Sequence, residues 1–452
     1  MKNRFMAPRA PLAGLAAVVI LLLLGGTASS AQGSQTAQAY AFSGLNIAPG
    51  ADGHQLNFAW FSAEQAKKPL VQIAKKVDQR GEAFPADRAK SFAGTASGVS
   101  ATQFNADDQS TAARAFANKV TVSGLADSTA YVYRVGDGVR WSATYALSTH
   151  DQQSFGFFVV GDPQLGAKST GPKTLASDTA GWQDTIAKAT ATFPKASFLV
   201  SLGDEVNDYN AIATQNEEYA AYFSPAQFRS LPVATVDGNH DFQMGEYYGF
   251  HYNQPNLSAR YGISYGNDGD YWFVYGGVLF LMLNSNTESI ATHDVFIRDA
   301  VSKNPDVKWR IVCFHHSVYS EADHFADPDI VDRRTNYPPV FERYKIDVVL
   351  QGHDHSYTRT LPLAKGKPVD GADPKAASIT NPGGVIYLTF NSGSGSKFYD
   401  WKDATPEIFS AVRWQGKVPS FSYVAVEGSK LTVTTYRTDD MSVVDSYSIV
   451  KN

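Results

Sequence analysis

Five short segments of this 452-residue chain each set a metal-type donor just past an apolar run. They read Gly161-Asp162-Pro163-Gln164, Gly203-Asp204-Glu205-Val206-Asn207-Asp208, Gly238-Asn239-His240-Asp241, His315-His316 and Gly352-His353-Asp354-His355. Carboxylate, amide oxygen and neutral imidazole suit hard and borderline divalent cations, and no thiolate is placed to compete. A lone Gly-Asn-His-Asp reads more often as a turn, and a lone Gly-His-x-His reads equally as a solvated histidine pair. All five together, in this order and at these separations, predict one crevice that holds two metal ions.

A crevice of that kind needs elements to aim the donors. The apolar runs Phe155 to Val160, Ser197 to Leu202, Pro232 to Val236, Lys308 to Phe314 and Asp347 to Leu350 read as strands. Open α/β sheets place their chemistry at the carboxyl ends of strands, where each of the five segments falls. Between them, Trp182, Ile186, Ala189 and Phe193 share one helical face, and so do Phe296, Ile297, Ala300 and Val301. Tyr271 to Phe273 and Val278 to Leu283 form an expected hairpin around Tyr275-Gly276-Gly277. Phe421 to Val426, Lys430 to Tyr436 and Val443 to Val450 read as a closing antiparallel meander, turning at Glu427-Gly428 and Asp439-Asp440.

Before Thr149 the character differs. Leu56 to Trp60, Leu70 to Ala74, Lys119 to Val122 and Tyr131 to Val135 are short alternating runs separated by turn residues, the pattern of an antiparallel β-sandwich. Residues 79–115 are rich in small and polar types and are expected to form a long, mobile excursion. The division is therefore a leader over 1–31, a β-sandwich over 39–150 and an α/β domain over 151–452.

The leader has Lys2, Arg4 and Arg9 ahead of an apolar core from about Leu12 to Leu24, then small residues through Ser29-Ser30-Ala31. It reads as a signal peptide, which places the protein outside the cytoplasm, secreted, periplasmic or at the cell surface. An uncleaved membrane anchor is the alternative. The formal charge is −5, and removal of the leader makes the remainder more negative. An acidic chain without basic runs is a poor partner for nucleic acid. Cys313 is the only cysteine, so no internal disulfide forms, and its apolar surroundings predict a buried, unreactive thiol.

From about Phe155 to Phe390 these segments resemble the calcineurin-like metallophosphoesterases. The preceding sandwich, with Tyr131-Val132-Tyr133-Arg134, resembles the amino-terminal domain of purple acid phosphatases, and Val122-Ser123-Gly124-Leu125 with Ser128 to Arg134 resembles half of a fibronectin type III module. The resemblance implies a fibronectin III-like sandwich followed by a two-sheet α/β/β/α domain. It implies a dinuclear centre in which Asp204 bridges two ions. Asp162, Gln164 and His355 complete one coordination sphere, and Asn239, His315 and His353 the other. His315 is preferred to His316 because Val312-Cys313-Phe314-His315 matches the family spacing.

Two departures bear on the metals. Many family members have His where this chain has Gln164, a weaker oxygen donor. The purple enzymes carry a ligand Tyr where this chain has Asn207. Without a tyrosinate the argument for a ferric ion lapses, leaving manganese, zinc, iron or a mixture, divalent or mixed-valence. Two such cations about 3.5–4 Å apart lower the pKa of a bridging water and hold two phosphate oxygens in line with it. His240 is the candidate to stabilise the transition state and protonate the leaving oxygen, with Asp208 or Asn207 orienting its ring. Asn239 would contact substrate beside it. His324 lies where the purple enzymes have a substrate-contacting loop. His251 is a candidate for the cleft, with a packed loop position as the alternative. Asn391 to Ser396 either lines the pocket with backbone amides or, as the preferred reading, forms a flexible loop.

The expected function is an exported phosphomonoesterase acting on a small-molecule phosphate ester. A diesterase or nucleotidase with the same site is the nearest rival. A metal-binding adhesion module without turnover is the rival of another class, and Gln164 is the residue that favours it.

Overall fold

The computed structural model describes residues 40–99, 115–167, 174–242, 247–264 and 269–452. The expected leader lies outside the described residues. Among those described, no helix is long and apolar enough to cross a membrane.

The first part is a sandwich of two four-stranded antiparallel sheets. One has the order Ser43–Pro49, Leu56–Ser62, Phe116–Val122, Thr95–Gly98, and the other Lys90–Ala93, Leu70–Lys75, Ala130–Gly136, Tyr145–Ser148. Alternation turns Phe58, Trp60, Val71, Ile73, Val120, Tyr133 and Val135 into its core. The strands Lys90–Ala93 and Thr95–Gly98 fall inside the stretch 79–115 expected as an excursion, so part of it is sheet edge; residues 100–114 lie outside the described residues. The edge pairing was hidden because Ala93-Gly94-Thr95-Ala96 has little apolar contrast between its two faces.

The second part packs two seven-stranded mixed sheets face to face. In the first, Ser154–Val160 lies between Leu199–Ser201, parallel to it, and Ser420–Glu427, antiparallel to it; Val233–Thr235 closes one edge. In the second, Val278–Met282, Trp309–Phe314, Val348–Gln351 and Ile386–Thr389 run parallel in that order. Their near-continuous Val, Ile, Leu and Phe content is what strands covered on both faces require. Phe157, Phe198, Phe273, Phe280, Ile311, Leu388 and Val424 meet between the sheets. Each such large side chain contributes about 1.5–3 kcal/mol on burial.

The outer faces are covered by helices. Helix α1 (Leu175–Thr192) places Trp182, Ile186 and Ala189 against the first sheet, together with α2 (Ile212–Tyr222) and α3 (Tyr247–His251). Helices α4 (Ile290–Lys303) and α5 (Pro328–Arg343) cover the second. The result is the expected α/β/β/α layering, with the carboxyl ends of both parallel sets opening toward one seam. Cys313 is fully buried there as predicted, and burial pushes its thiol pKa up beyond reach of thiolate chemistry.

Candidate metal centre

The seam collects donors from both sheets. Asp162 and Gln164 follow Ser154–Val160, Asp204 follows Leu199–Ser201 and Asn239 follows Val233–Thr235, all from the first sheet. His315 follows Trp309–Phe314 and His353 and His355 follow Val348–Gln351, from the second. Close approach of the loops depends on glycine. A Cβ on Gly238 would lie 2.1 Å from the Asp204 amide nitrogen, and one on Gly203 would lie 2.8 Å from Gly238 and 2.9 Å from the His315 ring. Asp162, Gln164, Asp204, His353 and His355 all take positive φ, from 36° to 71°. Non-glycine residues in that region cost about 1–3 kcal/mol each and gather where function over-determines the backbone.

Six side chains predicted from sequence, Asp162, Asp204, Asn239, His315, His353 and His355, thus arrive at one place, and Gln164 lies on the same loop as Asp162 with its amide turned to Asn207. Two groups of donor atoms lie within 4.8 Å of one another, Asp204 with His315 and His353, and Asp162 with Asp204 and His355. Asp204 belongs to both. His315 Nδ1 donates to the Leu202 carbonyl at 2.8 Å, which leaves the Nε2 lone pair facing Asn239 Oδ1 at 2.9 Å, His353 Nδ1 at 3.1 Å and Asp204 Oδ1 at 3.4 Å. His355 Nδ1 is turned to the Lys397 carbonyl at 3.2 Å, so its Nε2 faces Asp162 Oδ1 at 3.9 Å. Asp162 Oδ2 and Gln164 Oε1 are buried without a hydrogen-bond partner. Lone pairs gathered this closely, with buried oxygens left over, are costly unless a cation sits among them. The residues fit a pair of metal ions.

The electrostatics agree. Burial alone would push the Asp204 carboxyl up, but positive charge on His315 and His240 outweighs it and holds Asp204 well below the usual carboxylate range. Burial opposes protonation of His315, yet the Asp204 carboxylate carries its pKa up to about 9. Asp162 goes the other way, raised first by burial and further by the Asp204 charge against the pull of His315. Burial and neighbouring imidazoles keep His353 neutral, while burial and the Lys397 ammonium do so for His355.

His240 stands at the rim. Its backbone amide donates to Asp204 Oδ1 at 2.9 Å and its Nδ1 to the Asn207 carbonyl at 2.6 Å, with Tyr209 against its edge. Asn207 therefore orients the ring, through its backbone. Its side chain instead meets the Gln164 amide at 3.4 Å, so the two departures from the family pattern face each other. Asp208 does not orient His240: its carboxylate accepts from the amides of Asn210 and Ala211 at 2.7 and 2.9 Å and closes the turn into α2. His324 lies beside the site, its ring stacked on His353 at 4.2 Å, with Nδ1 on Asp327 at 2.7 Å and Nε2 near the Tyr399 hydroxyl at 3.3 Å.

His251 does not face the cleft. It is 4 % exposed, stacked on Tyr219 at 3.8 Å and edged by Phe61 of the sandwich, and neither ring nitrogen has a hydrogen-bond partner. Its apolar neighbours come from α2 and the strand Leu56–Ser62, which sequence spacing alone does not bring together. Asn391 to Ser396 is likewise a correction: the segment is buried, and Ser392 Oγ donates to the Asp162 carbonyl at 2.9 Å while Ser394 and Ser396 hydroxyls reach the Pro163 carbonyl. It is a clasp that fixes the first ligand loop.

Several residues that hold the site were given no role from sequence. The Asp241 carboxylate accepts from the amides of Gly238 and Glu205 at 3.0 and 3.1 Å and joins two ligand loops. Asp354 accepts from the amides of Ala322 and His324, both at 3.0 Å, and anchors the His324 loop. The Tyr399 ring lies 5.0 Å from His355 and 5.2 Å from His324, spanning the two halves of the mouth. The last two positions of the Gly-Asn-His-Asp and Gly-His-Asp motifs could have been read as loop clamps; Tyr399 lies in no pattern.

Comparison with known proteins places this geometry. Residues 157–357 match the calcineurin-like phosphoesterase family, and residues 43–149 match the purple acid phosphatase N-terminal domain. The chain is 29% identical over 100 residues to an uncharacterized protein of Mycobacterium tuberculosis, a match spanning 21% of this chain and only 19% of that protein. It is 22% identical over 369 residues to acid phosphatase type 7 of Homo sapiens, covering 74% of this chain and 77% of that one. Among solved structures, purple acid phosphatase PPD1 from yellow lupin superposes with a TM-score of 0.71 at 17% identity, over 91% of this chain and 75% of the other. The two domain models stand in the order and at the places of the sandwich and the two-sheet layer, so the chain carries a calcineurin-like phosphoesterase domain with a purple acid phosphatase N-terminal domain in front.

Proposed function

We propose that the chain is an exported phosphomonoesterase that works with two metal ions. The observation that carries this reading is the pair of donor groups sharing Asp204, with His240 tethered to that same carboxylate. Bound between these groups, two cations would supply a water of lowered pKa and positive charge for the phosphate oxygens. Asp162, Gln164 and His355 would hold one ion, Asn239, His315 and His353 the other, and Asp204 both.

The chain's own residues do the rest. His315 and His355 are fixed in the tautomer that presents Nε2, by the Leu202 and Lys397 carbonyls. With Nδ1 held by Asn207, His240 has only Nε2 to offer, and it donates from there to the departing oxygen. Asn239 and His324 border the space where the phosphate sits, and the burial of the acidic and imidazole ligands excludes water from behind. Asn207 supports a site without a tyrosinate, hence one of manganese, zinc or iron that lacks the corresponding colour. The human relative's name, acid phosphatase, favours monoesters.

The test is hydrolysis of a nitrophenyl phosphate against its bis-ester by metal-loaded protein. A monoester preference is expected; a tenfold preference for the diester would overturn it. Export is tested by N-terminal sequencing of the released protein, with cleavage expected near Ala31.

A further inference from the structure

Helix α2 begins four residues after Asp208 and runs back behind the ligand loops. One of its side chains, Glu218, is 3 % exposed, and a single carboxylate oxygen accepts the amides of both Asn207 and Asp208, at 2.8 and 2.7 Å. Those two amides belong to the peptide units on either side of Asn207's α-carbon. With them pinned toward Glu218, the Asn207 carbonyl is directed the opposite way, onto His240 Nδ1 at 2.6 Å. Gln215, one turn earlier on the same helix, donates to the Asp208 carbonyl at 3.0 Å and fixes the other end of the turn. The other Glu218 oxygen fills the space over Gly166, where a Cβ would lie 2.0 Å from it, so the carboxylate has a built seat.

We propose that Glu218 is a positioning residue for His240, acting through the Asn207 carbonyl: it sets the angle at which the imidazole meets the leaving oxygen and touches neither metal nor substrate. The inference rests on the reading that His240 donates to that oxygen. A donor of this kind contributes about 10²–10⁴-fold, and displacements near 1 Å forfeit much of such a contribution. Its signature is selective. An alkyl leaving group needs the donated hydrogen bond, whereas a dinitrophenolate leaves without it.

The experiment compares kcat for an alkyl phosphate and for 2,4-dinitrophenyl phosphate in the parent, Glu218→Ala, Glu218→Asp, Glu218→Gln and His240→Ala, with metal content measured in each. Glu218→Asp keeps charge and helix while withdrawing the oxygen by one methylene, so it serves if the alanine variant does not fold. Both Glu218→Ala and Glu218→Asp are expected to lose about tenfold on the alkyl ester and under about twofold on the dinitrophenyl ester, with metal content unchanged. Glu218→Gln retains an acceptor oxygen and is expected to keep most of the rate on both. Equal losses on the two substrates would mark a merely structural residue and overturn the proposal, as would a Glu218→Gln as impaired as Glu218→Asp. If His240→Ala itself shows no dependence on the leaving group, the reading of His240 fails, and the proposal with it.

Discussion

Two clusters of buried histidine differ in one respect. His315, His353 and His355 sit among carboxylate and amide oxygens, with lone pairs turned toward each other and with their remaining nitrogens tied to carbonyls or to one another. His251 is as buried, but aromatic rings surround it, and both of its nitrogens face hydrocarbon. The two environments shift their imidazoles differently. At the seam, Asp204 overrides burial and raises His315 to about 9; beneath the sandwich, burial prevails with help from Lys119 and takes His251 down to about 3. Burial alone therefore does not mark a functional histidine. The polar atoms sharing its cavity do.

The contrast is tested most severely at Asp204. Asp204→Asn withdraws charge from both donor groups, and the expected outcome is a chain holding fewer than two ions, with a loss of activity above the roughly 10–100-fold that loss of an outer-shell partner costs. Metal analysis alongside nitrophenyl phosphate turnover checks this, and a variant retaining both ions and its rate would remove Asp204 from the centre. Next in size is His240→Ala, expected to lose about 10²-fold in kcat with the ions still bound. Ion loss in that variant would make His240 a ligand instead. Gln164→His sharpens the seam by replacing the orphaned Oε1 with an imidazole, and should slow removal of one ion by a chelator about tenfold. An unchanged rate of removal would show that this side chain does not reach the metal.

The effect expected beneath the sandwich falls on stability and leaves the metal centre untouched. Because the folded-state pKa of His251 lies below its ordinary 6.5, the unfolded chain takes up a proton that the folded chain refuses. That contribution to stability is complete above pH 6.5 and is lost as the pH falls toward about 3, by up to about 1.4 kcal/mol per unit. His251→Phe, in a box already made of rings and beside a cavity of about 260 Å³, should flatten the acid side of the melting-temperature profile without altering metal content. A changed metal content would erase the distinction between the two clusters.

Most of the layering was legible beforehand because parallel strands buried on both faces leave unbroken apolar runs, and each ligand motif begins where such a run stops. The loop tips that carry the candidate ligands were legible for the same reason. What escaped was chain return. Nothing in Phe250-His251-Tyr252 announces that Phe61, nearly two hundred residues earlier, closes over it. Asp208 and Asn207 are neighbours of equal plausibility until the backbone shows that the orienting group is a carbonyl, a feature every residue possesses. Ser392 to Ser396 has the composition of a solvated loop, and becomes a clasp only because the Asp162-Pro163 carbonyls need donors.

The candidate donors come three from each sheet, if Gln164 is set aside, and the sheets touch through Phe157 and Phe198, stacked on each other, and Phe280 edge-on to both, with ring centroids 5.0 to 5.4 Å apart. Each donor group draws on both sheets, so the fit of a loaded site would depend on how closely those rings pack. Enlarging or trimming one of these rings, remote from any substrate, would register first as altered distances from donor to metal in the X-ray absorption of metal-loaded protein. The hydrophobic interior thereby becomes a tuning screw for inorganic chemistry.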